Sequence, residues 1–84
     1  MEIKGKIFRI EDEQTFDSGF KKREFIIETE GDFPQLIKFE LIKDKILLCD
    51  KLFEGMVVTV HFNIRGRDHN GKVFNSLQAW KIDL

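Results

Sequence analysis

Apolar and polar residues alternate along most of the chain, in segments divided by turn chemistry, and this predicts a protein built from strands. The first segment runs from about Glu2 to Glu13, with Ile3, Gly5 and Ile7 on one face, and it changes phase at Phe8 and Ile10. A glycine inside a strand together with a phase change predicts a bulge, which lets one long strand bend and serve two sheets. Thr15 to Gly19 reads as a loop, and Lys21-Lys22-Arg23 leads into a second strand, Glu24 to Thr29, with Phe25 and Ile27 facing the same way. Glu30 to Pro34 is the next turn. Its proline lacks a ladder donor, so the third strand begins beyond it, from Gln35 to Leu41, with Ile37, Phe39 and Leu41 aligned.

The period then changes. Between Lys43 and Phe53, Leu48 and Leu52 recur four apart, as do Cys49 and Phe53, and Asp44 stands where a cap or first-turn acid belongs. This predicts one short α-helix, closed by Glu54-Gly55. Met56 to Arg65 is the most regular strand: Val58, Val60, Phe62 and Ile64 line one face, and Thr59, His61, Asn63 and Arg65 the other. Asp68 to Lys72 reads as a turn around Asn70-Gly71, followed by a fifth strand from about Lys72 to Ile82. There Phe74, Ser76, Gln78 and Trp80 alternate with Asn75, Leu77, Ala79 and Lys81. Neither face is purely apolar, which predicts a bulge or a switch in burial.

Three strands, one helix and two strands, in this order and in one domain of residues 1–84, are the elements of the oligonucleotide/oligosaccharide-binding (OB) fold. The expected class is therefore all-β: a five-stranded Greek-key OB-fold barrel with one short α-helix between the third and fourth strands. An SH3-like barrel, the alternative small curved sheet, usually lacks a full helix at this position.

The segments Phe62-Asn63-Ile64-Arg65-Gly66-Arg67 and Phe74-Asn75-Ser76-Leu77-Gln78-Ala79-Trp80-Lys81-Ile82 resemble domain of unknown function family 3127, a group of small bacterial proteins. So do Phe20-Lys21-Lys22-Arg23-Glu24-Phe25 and Phe33-Pro34-Gln35, and the resemblance covers essentially the whole chain. It implies a barrel like that of single-stranded-DNA-binding proteins, whose last core strand Phe74 to Trp80 looks like. No activity or binding residue is carried over from it.

Charge narrows the function classes. A net charge of -1 does not describe a strong polyanion binder as a whole. The distribution is uneven, however: from His61 to Leu84, Arg65, Arg67, Lys72 and Lys81 outnumber Asp68 and Asp83, while Glu28 to Glu54 is acidic. Cys49 has no second cysteine to pair with and suits a reducing cytoplasm. Met1 to Gly5 lacks the basic segment and apolar run of a signal peptide, and no apolar stretch approaches the roughly 20 residues that span a bilayer. The expected location is the cytoplasm, with no membrane partner.

The candidate chemistry is that of a nucleic-acid surface, where cations neutralise phosphates, amides bond base edges or sugars, and aromatic faces stack on unpaired bases. Arg65 and Arg67 flank Gly66 at the mouth of the loop between the fourth and fifth strands, with Lys72 on its far side. Lys21, Lys22 and Arg23 follow the first long loop, on the opposite bank of the groove this fold uses, although three adjacent cations on a strand cannot share one face. Phe16 and Phe20 are loop aromatics suited to stacking, or else they staple the loop to the barrel. Trp80 either stacks on bases or caps the barrel. Asn63, Asn75 and Gln78 read bases or bond across strands.

No metal site is expected from two histidines and one cysteine without ligand spacing, no cofactor is implied, and no nucleophile stands beside a base. The expected function is thus non-enzymatic binding of single-stranded DNA or RNA, by a homo-oligomer. The alternative is a protein-interaction or assembly module, favoured if Glu24, Glu28 and Glu40 face outward where a nucleic acid would rest.

Overall fold

How the sheet closes is decided at Gly5. The computed structural model describes residues 1–84, in which β1 (Glu2–Ile10) pairs antiparallel with β5 (Val57–His69) through its first half and with β3 (Lys21–Thr29) through its second. Gly5 has register partners on both sides, Thr29 and Val58, and a Cβ there would come within 2.7 Å of the Glu28 carbonyl oxygen. Two residues later the register slips between Ile7 and Arg9, leaving Phe8 as the bulged residue that turns the strand from one partner to the other. The expected bulge and double pairing are both present.

The remaining elements are β2 (Gln14–Thr15), β4 (Leu36–Ile42), a helix over Lys43–Lys51 and β6 (Lys72–Asp83). The strands run in the order β1-β5-β6-β4-β3-β2, and the β1–β3 pairing closes them into a ring. One seam is thin: β4 and β6 are parallel and share a single bridge, Glu40 to Gln78. This is the barrel the alternation implied, with a two-residue strand, β2, added inside the first loop. No helix is long and apolar enough to cross a membrane.

Period-two residues fill the interior. Ile7, Phe25, Ile27, Phe39, Leu41, Val58 and Val60 are essentially inaccessible. The rings of Phe25 and Phe39 stack with centroids 5.5 Å apart, and Phe62 tilts against Phe39 at 5.1 Å. Such aromatic pairs contribute about 0.5–1.5 kcal/mol beyond their buried area.

The helix falls where the change of period placed it, but it is a 3-10 helix. Its buried side chains Ile46 and Cys49, and Leu52 just past its end, recur every third residue, which is the period of the tighter helix, whereas Phe53 is exposed. Leu52 accordingly donates its N–H to the Cys49 carbonyl, three residues back. Asp44 lies in the first turn without capping it. The last hairpin differs more. Its strands continue to His69 and from Lys72, leaving only Asn70-Gly71 as the turn, with φ of 54° and 82°. Positive φ at both central residues is the two-residue turn whose twist suits a hairpin. Ile64 keeps its place in the alternation but is exposed, because burial ends at Phe62 where the hairpin leaves the barrel.

Candidate functional site

Across the β4–β6 seam lies an open groove of about 910 Å³. Phe16, Ser18 and Phe20 from the β2–β3 loop and Lys22 from β3 form one wall. The β5–β6 hairpin forms the other, through Arg65, Gly66 and Arg67 on β5 and Phe74, Asn75, Ser76 and Gln78 on β6. Glu40 of β4 completes the lining.

Local hydrogen bonds place the aromatic wall. Phe16 N–H donates to the Phe20 carbonyl and Gly19 N–H to the Phe16 carbonyl, both at 2.8 Å, and Gly19 takes the left-handed φ of 86° that closes the turn. The Phe16 and Phe20 rings therefore sit together, 5.9 Å apart, yet remain 45% and 38% exposed. Lys22 Nζ is 5.8 Å from the Phe16 ring centroid, within reach of the ring's negative face. On the hairpin, register supplies the arrangement: Arg65 stands opposite Ser76 and Arg67 opposite Phe74, so cation and aromatic ring lie side by side.

A chain of polar contacts ties the walls together. Arg65 Nε donates to Gln78 Oε1 at 3.1 Å, and Gln78 Nε2 donates to Glu40 Oε1 at 3.3 Å. Lys22 Nζ lies 3.7 Å from Glu40 Oε2 and 4.0 Å from Glu24 Oε2, and Lys38 Nζ lies 3.7 Å from the same Glu24 oxygen. Glu24 and Glu40 do face outward, but each has a lysine beside it. The lining itself holds Lys22, Arg65 and Arg67 against Glu40 alone, so positive charge prevails on the hairpin side.

Of the residues expected to bind, Phe16, Phe20, Lys22, Arg65 and Arg67 meet in this groove, and so do Asn75 and Gln78, the amides expected to read bases or bond across strands. The other five lie outside its lining. Lys21 pairs with Thr15 at the β2 edge, and Lys72 pairs with His69 beside the hairpin turn. Arg23 is half-buried and donates its Nε to the Glu11 carbonyl at 2.8 Å, which fastens the first loop. Asn63 is opposite Gln78 on the same face, further from the tip.

Trp80 is the extra residue where the register slips between His61 and Phe62, and it is 43% exposed. It neither enters the core nor lines the groove: its ring is 5.4 Å from that of His61. His61 Nε2 in turn lies 2.7 Å from Asp83 Oδ2, and this hydrogen bond, with Lys81 nearby, holds the Asp83 carboxyl below its usual range. Ser18, Phe74 and Ser76 also line the groove and were not among the candidate residues. Alternation gives the face of Phe74 but not its position opposite Arg67, beyond the end of the core.

The chain belongs to the family described as domain of unknown function (DUF3127), whose model matches residues 2–83. No curated protein matches it. Among solved structures it is similar to the mitochondrial single-stranded DNA binding protein Rim1 from S. cerevisiae, with a TM-score of 0.83 and 17% identity over 100% of this chain and 91% of that one. It is also similar to the dimeric N-terminal domain of PriB protein from Thermoanaerobacter tencongensis (TM-score 0.72, 19% identity, 99% and 91% covered). The SSB domain of a Synechococcus protein gives a TM-score of 0.76 at 12% identity, with 100% and 92% covered. At these identities the likeness is one of fold: an OB-type barrel.

Proposed function

We propose that the protein binds single-stranded nucleic acid, DNA ahead of RNA, and catalyses no reaction. One observation carries this reading: two sequence-distant segments, Phe16 to Lys22 and Arg65 to Phe74, supply aromatic rings and cations to opposite walls of one open groove. Unpaired bases stack on exposed Phe16, Phe20 and Phe74 while Arg65 and Arg67 contact phosphates. The likeness to proteins described as binding single-stranded DNA supports it. The alternative, a protein-interaction module, drew on outward carboxylates. Pairing of Glu24 and Glu40 with Lys38 and Lys22 weakens that objection, because the floor is then close to neutral.

Exposed Phe33, Leu36, Phe53, Ile64 and Val73 leave apolar surface beyond the groove, and we expect a homo-oligomer, as in the dimeric PriB domain. A solitary buried Cys49 agrees with a cytoplasmic location. The test is fluorescence anisotropy of labelled dT and rU oligomers at low salt, against a duplex of equal length. The strand should bind more tightly than the duplex, and dT more tightly than rU. Failure of both single strands to bind would leave the protein-interaction reading in its place, and light scattering from a clean monomer would remove the oligomer.

A further inference from the structure

Glu40 is the one lining group that opposes phosphate binding. A carboxylate in a polyanion groove is unfavourable, yet this one is held in place by Gln78 on one oxygen and by Lys22 near the other, with its side chain only 15% exposed. Each carboxylate oxygen has two lone-pair directions, so one remains open on each. Along the groove floor, Glu40 and Lys22 therefore present two acceptors followed by a donor.

Resting on the single-strand reading above, we infer that this floor selects the base that lies on it and that the base is guanine. With phosphates on Arg65 and Arg67, a base between the loop phenylalanines and Phe74 points its Watson–Crick edge inward. Guanine's edge runs donor, donor, acceptor: the N2 amine and N1–H meet the two Glu40 oxygens, and O6 meets the Lys22 ammonium. Each other base puts an acceptor against the carboxylate. Thymine and uracil flank N3–H with two carbonyls, and cytosine and adenine place a ring nitrogen beside the amine. A matched bidentate contact discriminates by about 1–3 kcal/mol, or roughly fivefold and upward.

The test uses a labelled dT oligomer, the same oligomer with one central dG, and a third with deoxyinosine there, which lacks only the N2 amine. Wild type should bind the dG strand at least about fivefold more tightly than all-dT, and deoxyinosine should lose most of that gain. Glu40→Gln should abolish the preference, because the amide keeps one acceptor and puts an N–H donor against the guanine edge. The deoxyinosine strand tests the contact in the unaltered protein, whatever the variant's stability. Equal affinity for dG and dT in wild type, or a preference that survives Glu40→Gln, overturns guanine selection while single-strand binding stands. If all-dT and dG strands both fail to bind, the single-strand reading falls and guanine selection with it.

Discussion

Replacing Arg65 and Arg67 with alanine should change the salt dependence of binding more than it changes anything else. Both guanidiniums line the groove, and Arg65 spends only its Nε on Gln78, leaving its terminal nitrogens for phosphate. Lys22, the third lining cation, already faces Glu24 and Glu40. Each phosphate neutralised on a single strand contributes about 0.7 to the slope of log affinity against log salt. Two to three contacts give a slope of about -1.4 to -2.1, so wild-type affinity should fall about tenfold between 50 and 200 mM salt. With Lys22 alone the slope is about -0.7 and the fall about threefold. Anisotropy titrations of a labelled dT oligomer at four salt concentrations measure both lines. The fold should hold, since exposed side chains of this kind usually alter stability by less than about 0.5 kcal/mol, a few degrees in a thermal melt. A variant with an unaltered slope would show that the strand lies elsewhere, whatever its affinity at one salt.

The aromatic wall should behave in the opposite way: Phe16→Ala with Phe20→Ala should weaken dT binding by about 1–3 kcal/mol per stacked base while leaving the salt slope in place, as measured by the same titration. Gly5→Ala should lower stability by about 1–3 kcal/mol, read as a falling thermal midpoint, because the new methyl meets the Glu28 carbonyl at 2.7 Å with strands on both sides. An unchanged midpoint would mean that β1 does not pair with β3 and β5 at once. The His61 bond keeps the Asp83 carboxyl's pKa lower in the folded state than in the unfolded one, so its contribution is present above the unfolded value and disappears as pH falls through the folded one. Urea unfolding from neutral to acid pH should therefore show a shallower acid loss in Asp83→Asn than in wild type.

The barrel was legible because its strands obey one rule, apolar inward at every second residue, and break it only at bulges. The first bulge announced itself through Gly5 and the phase change at Phe8. The second could be anticipated from the mixed faces of β6, but not located. Without it, Ala79 inside would put Lys81 inside as well. The extra residue, Trp80, turns Lys81 outward opposite His61 and brings Ile82 inward opposite Val60. That is why a tryptophan beside a core strand is neither core nor groove. The helix was placed correctly but read at the wrong period, since pairs four apart at Leu48 and Leu52 hid the triplet spacing of Ile46, Cys49 and Leu52. The groove was legible on the side of the loops and arginines. Phe74 was not, because alternation marks which face a residue takes and says nothing of where a hairpin outgrows its core.

Closure and recognition meet at one residue pair. β4 and β6 are joined by a single backbone bridge, and the residues at that bridge, Glu40 and Gln78, are also joined through their side chains. A seam with so few ladder bonds leaves a gap in the sheet, and the gap is the groove. Strengthening the seam with further pairing would fill the floor and remove the site, whereas an apolar pair there would close the ring without fixing Arg65. The carboxylate therefore does two things: it accepts from Gln78, and through Gln78 positions the Arg65 guanidinium, and, as a neutral residue would not, it balances Lys22 at the opposite wall. A groove preorganised in this way loses less side-chain freedom on binding than one whose cations hang free in solvent. The acidic floor that first argued against a polyanion ligand is, on this account, what keeps the two cationic walls in position for one.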